Sequence, residues 1–431
     1  MSKFYIRFNI LSTLILYSDN LSPEQYALLL FCFGNDDIML KIQISVSYTG
    51  RRLMKHLYVM IKPASSLCNL CCKYCFYADV AKLREVPSYG IMSAKTLEAV
   101  LHSIERELTI GDCLLLSFQG GEPTLAGLDY FHRVVKIVNE WATGIHVEYA
   151  LQTNAMLLDT AWCAFLKEHR FLVGVSFDIL RDLHDNARVD MLGNGTANRV
   201  EGAIDLLKHY GVEYNVLCTL TNAVARHPQQ VWKRIVKMDL RYIQFTPCLD
   251  ELKCPGESPY ALTPERFASF YDGIFRLWLA DYRQGSYRSI RFLDDIISYL
   301  AFGFAGSCGI GGKCWPQIIV EADGSAYPCD FYCMDSYRLG DMTKQSISEL
   351  LTSPGMRTFR TREHRVPKLC RSCQYFRFCG GGCKRMQHEM CCSEDDTVCG
   401  YAIFLEKHMP ELRQLATSAR LKRSQEWRCS R

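Results

Sequence analysis

"SSLCNLCCKYCFYADV", residues 65–80, places four cysteines within eight positions and follows the last of them with two aromatic residues. Cys68, Cys72 and Cys75 read as C-x3-C-x2-C, with Cys71 as an extra thiol. A structural zinc ion ordinarily takes four ligands arranged as two close pairs. Three closely spaced thiolates with no fourth nearby suit instead a four-iron cluster held at three corners, which leaves one iron open. A buried group of unligated thiols is the plain structural alternative.

The sequence around this stretch has a regular rhythm. Short apolar runs, "HLYVMIK" (56–62), "CLLLSFQ" (113–119), "HVEYALQ" (146–152), "FLVGVSF" (171–177), "VEYNVLC" (212–218) and "RYIQFTP" (241–247), read as buried strands. Helical patterns lie between them. "SAKTLEAVLHSIEREL" (93–108) opens on Ser93 as an N-cap and puts Leu97, Leu101, Ile104 and Leu108 on one face. Six strands alternating with helices predict parallel pairing through right-handed crossovers, and a partial (β/α)6 barrel within an α/β fold. The chemistry of such barrels sits at the C-terminal ends of the strands, and the cysteine loop directly follows the first strand.

Composition narrows the setting. The chain has 431 residues, 22 of them cysteine, and a net charge of +4 with both signs interspersed. No strong field points to nucleic acid. No run of about twenty apolar residues exists to cross a membrane. The apolar stretch Ile10–Tyr17 lacks the small-residue cleavage site of a secretory signal. Clustered cysteines in a cytoplasmic, reducing setting point to metal or catalysis rather than to disulfides.

Beyond about residue 260 the strand–helix rhythm gives way to helical stretches over 261–306, expected as a linker. From 307 to 431 the sequence is rich in Cys and Gly, and it is expected to form a smaller domain held by metal, closed by a C-terminal helix. Cys308 and Cys314 come first, then C-x9-G-x4-C from Cys314 through Gly324 to Cys329. "CRSCQYFRFCGGGC" supplies Cys370, Cys373, Cys379 and Cys383, and Cys399 follows after a gap. Eight thiolates suffice for two clusters or two zinc ions, and spacing does not separate these options. Cys391 and Cys392 lie near enough to Cys399 to be rival ligands.

"CNLCCKYCFY" resembles the signature of the radical S-adenosylmethionine enzymes, and "FQGGEPTL" (118–125) resembles their GGE motif. The later cysteines resemble the SPASM extension, which carries two auxiliary four-iron clusters. The resemblance implies three [4Fe-4S] clusters. Cys68, Cys72 and Cys75 would hold the one that binds S-adenosylmethionine (AdoMet). Cys308, Cys314, Cys329 and Cys383 would hold the first auxiliary cluster, and Cys370, Cys373, Cys379 and Cys399 the second.

Longer stretches, among them "LQTNAMLLD" (151–159), "LHDNARVD" (183–190), "IQFTPCLD" (243–250) and "DGSAYPCDFY" (323–332), are similar to the anaerobic sulfatase-maturating enzymes. The similarity runs from residue 57 to about residue 410. Residues 1–53 lie outside it and form an N-terminal extension, with Met54 and Met60 as alternative starts. Two positions depart from the family pattern: Ala155 stands where the family usually has Gly, and Asp178 is not followed by the usual Gly-Pro.

The family implies conversion of a Cys or Ser in a C/S-x-P-x-R stretch of a sulfatase to Cα-formylglycine. Asp330, next to Cys329, matches its base. Tyr77, Gln119, Gly121, Ser176, Arg188 and Leu249 match its AdoMet pocket. The implied partners are an unfolded or nascent sulfatase chain and an electron donor such as flavodoxin or ferredoxin. The rival readings are a SPASM enzyme acting on a ribosomally made peptide, and a zinc-ribbon interaction protein.

Overall fold

The computed structural model describes residues 54–253, 256–361, 366–393 and 395–429, with side chains through residue 422; the expected extension over residues 1–53 lies outside them. All six expected strands form: β1 (His56–Ile61), β2 (Cys113–Phe118), β3 (His146–Thr153), β4 (Leu172–Ser176), β5 (Tyr214–Leu220) and β6 (Tyr242–Pro247). Each pairs in parallel with the next in chain order.

The crossovers carry helices α1 (Phe76–Lys82), α2 (Ala94–Glu105), α3 (Leu128–Trp141), α4 (Thr160–Glu168), α5 (Arg181–Ala187), α6 (Ala197–Tyr210) and α7 (Pro228–Lys237). Local chemistry sets their ends. The Ser93 side chain accepts from Thr96 N to cap α2, and Leu97, Val100, Leu101 and Ile104 bury one face of that helix. Gly211, at φ 63°, ends α6 in the left-handed conformation that glycine adopts freely.

The sheet continues at both edges. β7 (Ser289–Ile290) adds in parallel to β6, and β8 (Ile318–Val320) adds in parallel to β1. β9 (Ser325–Tyr327) and β10 (Gly340–Asp341) extend it antiparallel, giving ten strands in the order β10-β9-β8-β1-β2-β3-β4-β5-β6-β7. Among the described residues the outermost strands, β10 and β7, do not pair with each other, so the sheet does not close, and β1–β6 lie side by side in chain order.

The segment after residue 307 therefore does not fold by metal alone. Ile318, Val320, Ala326, Met342, Ile347 and Leu350 belong to the same buried core as β1–β6. The reason is physical: the outer edge of β1 would otherwise leave a row of unpaired backbone groups. Helices α8 (Pro264–Arg283), α9 (Arg291–Phe302) and α13 (Gly400–Cys429) pack together through aromatic contacts, Phe267 stacking on Tyr401 and Phe292 meeting Phe404. The short helices α10 (Ile347–Thr352), α11 (Pro354–Thr361) and α12 (Phe376–Cys379) fall between α9 and α13 in the chain. No described helix is long and apolar enough to cross a membrane.

Candidate active site

The cysteine loop leaves the C-terminal end of β1 and is held from two sides. On one side Cys71 N donates to Val189 O at 2.8 Å and Lys73 N to Ala187 O at 3.0 Å. On the other, Gly121 N donates to Ser65 O at 2.8 Å and Glu122 N to Leu67 O at 2.7 Å. A Cβ on Gly121 would lie 2.1 Å from Leu67 O, so only glycine permits this approach.

Glu122 is fully buried and anchors the arrangement. It accepts from Thr124 N at 3.0 Å, Thr124 Oγ1 at 2.6 Å, Thr153 Oγ1 at 2.8 Å and Asn154 N at 2.7 Å. Burial nevertheless pushes its carboxyl above the ordinary value, against these donors. Asn154 in turn donates to Asn69 Oδ1 at 2.7 Å and approaches Cys68 Sγ at 3.8 Å. The glutamate of the GGE motif thus fixes, through Asn154, one thiol of the loop. Cys68, Cys72 and Cys75 are electrostatic neighbours, and burial pushes the Cys68 thiol up to about 12 and Cys72 up to about 11.

Arg188 sits beside Cys72 and is tied down. Its Nε donates to Asp178 Oδ2 at 3.1 Å and one terminal nitrogen to Thr219 Oγ1 at 3.1 Å, and its guanidinium lies 5.3 Å from the Tyr74 ring centre. Tyr74 Oη donates to the same Asp178 carboxylate, which also accepts from Thr219 N at 3.0 Å. Ser176, at the end of β4, accepts from Gln152 Nε2 at 2.9 Å, and Leu249 is buried just past β6. The two departures from the family pattern border this region, and both take left-handed backbone: Ala155 at φ 63° and Ile179 at φ 65°.

A second constellation brings together residues distant in sequence. Tyr77 Oη donates to Asp330 Oδ2 at 2.5 Å, and Gln119 Nε2 reaches both Asp330 Oδ2 at 3.2 Å and Tyr77 Oη at 2.6 Å. Burial, and then the neighbouring Asp330, push the Tyr77 phenol well above its ordinary value, which keeps it a donor. Phe76 packs on Phe331 with ring centres 5.0 Å apart, walling one side. Tyr77 and Gln119, two of the residues expected in the AdoMet pocket, both hydrogen-bond Asp330. Sequence reasoning missed Lys62, Tyr74, Asp178 and Glu321. Their only signal was position, Lys62 and Asp178 at strand ends and Tyr74 inside C-x2-C.

The eight later cysteines expected as ligands fall into two groups. Electrostatic coupling joins Cys308 to Cys383 and Cys314, Cys329 to Cys383 and Cys308, and Cys383 to Cys314. It likewise joins Cys370 to Cys379, Cys399 and Cys373, and Cys399 to Cys373. Glycines allow the loops to approach: a Cβ on Gly312 would lie 2.4 Å from Gly380 O, and one on Gly309 would lie 2.6 Å from Cys383 Cβ. Cys391 is fully buried and neighbours Cys379, Cys399, Cys370 and Cys383, while Cys392 neighbours Cys370 and Cys399, so both stay beside the second group. No group of three or more His, Cys, Asp or Glu among the described residues is placed to hold a single metal ion. Sets of three, four and four soft thiols fit iron–sulfur clusters.

Comparison with known proteins agrees with this site. Residues 63–227 match the radical SAM superfamily, and residues 308–374 match the iron–sulfur cluster-binding SPASM domain. A cysteine-type anaerobic sulfatase-maturating enzyme of Clostridium perfringens is 38% identical over 370 residues, covering 85% of this chain and 100% of that protein. A serine-type anaerobic sulfatase-maturating enzyme of Bacteroides thetaiotaomicron is 28% identical, covering 77% of this chain and 83% of the relative. A solved structure, native anSMEcpe with bound AdoMet and Cp18Cys peptide, superposes with a TM-score of 0.77 at 36% identity, covering 84% of this chain and 99% of its own.

Proposed function

Because the chain belongs to the anaerobic sulfatase-maturating enzymes, we propose that it oxidises the Cβ of a target residue in a sulfatase C/S-x-P-x-R segment to give Cα-formylglycine. The higher identity to cysteine-type relatives, 37–38% against 28% for the serine-type one, supports a cysteine target. Three [4Fe-4S] clusters are assigned to the three cysteine sets, with Cys68, Cys72 and Cys75 at the first. Gly121, Ser176, Arg188 and Leu249 are assigned to AdoMet. An external carrier such as a flavodoxin or ferredoxin is assigned as electron donor, in the cytoplasm.

When bound, the first cluster with AdoMet would supply an adenosyl radical that takes a hydrogen atom from Cβ, and the auxiliary clusters would accept the electron released next. The rest falls to side chains of this chain. Asp330 takes the thiol proton, so the substrate loses one hydrogen atom, one proton and one electron and becomes a thioaldehyde. Water then replaces sulfur, releasing hydrogen sulfide and leaving the aldehyde. Tyr77 and Gln119 occupy Oδ2 of Asp330 and orient the carboxylate for that transfer.

The observation that carries this reading is the placement of Asp330. It is 8% exposed, adjoins Cys329, and is bound by side chains from the ends of both β1 and β2. The test is anaerobic turnover of C-x-P-x-R and S-x-P-x-R peptides read by mass. Cofactor cleavage with both peptides unchanged would refute the substrate assignment.

A further inference from the structure

Asp330 has a third neighbour. Lys62, the residue after β1, is 2% exposed, and its Nζ stands 3.1 Å from Asp330 Oδ1 and 3.7 Å from Glu321 Oε1. Glu321 is fully buried and takes Arg84 Nη1 at 2.8 Å. Four buried charges therefore alternate in sign along one line: Arg84, Glu321, Lys62, Asp330. Nζ also lies 4.7 Å from the centre of the Tyr77 ring.

Sheet register makes this arrangement. β1 and β8 run in parallel with Ile61 opposite Val320, and Lys62 N donates to Val320 O at 2.8 Å. The residues that follow, Lys62 and Glu321, are thereby neighbours. Burying an ammonium without partners is costly, and a carboxylate on each side offsets part of that cost. Burial alone would lower the Lys62 ammonium, but Cys333, Asp330 and Glu321 outweigh it and hold it above its ordinary value.

The two oxygens of Asp330 are treated differently. Oδ2 accepts from Tyr77 and Gln119, whereas Oδ1 is buried and faces the Lys62 ammonium at 3.1 Å. We propose that Lys62, anchored by Glu321, is a positioning residue that fixes the orientation of the Asp330 carboxylate for the substrate proton. The inference rests on the function proposed above. Lys62 then serves the step after hydrogen abstraction and leaves abstraction itself alone.

The test uses full-length, anaerobically reconstituted protein and a C-x-P-x-R peptide, counting 5′-deoxyadenosine and aldehyde in the same reaction. Lys62→Met should keep wild-type iron content, peptide Kd and deoxyadenosine yield. Its aldehyde per deoxyadenosine should fall at least about tenfold, in kcat rather than KM. Lys62→Arg, which keeps the charge, should recover part of that ratio. Should Lys62→Met fail to load iron, Glu321→Gln serves instead and should lower the same ratio. An unchanged ratio in the variant that loads iron, or Arg no better than Met, overturns the role of Lys62. Deoxyadenosine without aldehyde from the wild type would instead refute the proposed function.

Discussion

Tyr77 Oη stands 2.5 Å from Asp330 Oδ2, although 253 positions separate the two residues in the chain. One is on α1, directly after the first cysteine loop; the other adjoins Cys329 of a second cysteine set. Their meeting couples the loop expected to cleave AdoMet to the segment expected to carry the base. Removing this donor tests whether Tyr77 serves the base or the cofactor. Tyr77→Phe should lower aldehyde formation about tenfold, the loss of one charge-assisted hydrogen bond, while AdoMet binding by equilibrium dialysis is unchanged. Weakened AdoMet binding would place Tyr77 at the cofactor instead.

Gly121 has no room for a side chain. Gly121→Ala would drive a methyl group into the Leu67 carbonyl, 2.1 Å away, and push the cysteine loop off the GGE turn. The variant should lose the iron of the first cluster and keep that of the auxiliary sets. Iron per chain and the electron paramagnetic resonance of the reduced protein would report this, and full loading would contradict it.

Ala155 is buried and holds φ at 63°, a conformation that favours glycine. A buried Ala→Gly change ordinarily loses about 1 kcal/mol through backbone entropy. Strain of about 1–2 kcal/mol is relieved here, so Ala155→Gly should be neutral or stabilising. Urea unfolding decides it; a loss above 1 kcal/mol would mean that the backbone carries no strain there.

Asp294 on α9 accepts from Tyr287 Oη at 2.7 Å and Ser289 Oγ at 2.5 Å, and burial pushes its carboxyl up to about 7. The neighbouring Asp295 adds to the rise. A raised carboxyl binds its proton more tightly folded than unfolded. The stability it contributes is complete below the unfolded value of about 3.9 and lost as pH rises through about 7. Asp294→Asn removes that dependence. The variant's stability relative to wild type should rise by about 3 kcal/mol between pH 5 and pH 8. A difference that stays flat with pH would show that Asp294 is ionised throughout.

The parts legible in sequence are those written in contiguous residues. Each of β1–β6 is a contiguous, largely apolar stretch of five to eight residues, and C-x3-C-x2-C is a local pattern, so both could be read directly. β8, β9 and β10 are two or three residues long, too short for periodicity to register, and they join the sheet because the edge of β1 needs a partner. The Lys62–Glu321 pair follows from that register and was invisible for the same reason. The left-handed backbone at Ala155 and Ile179 left a trace only as departures from glycine. Side-chain partnership is decided by folding: the hydrogen bond from Tyr77 to Asp330 forms only once β1 and β8 pair.

The most direct measurement mixes reconstituted protein, AdoMet, a strong reductant and the two peptides without oxygen, and reads peptide mass alongside 5′-deoxyadenosine. The account predicts an aldehyde in the C-x-P-x-R peptide. With Asp330→Asn it predicts a loss of aldehyde of about a hundredfold or more while deoxyadenosine continues to form. Aldehyde formation by Asp330→Asn at the wild-type rate would contradict it.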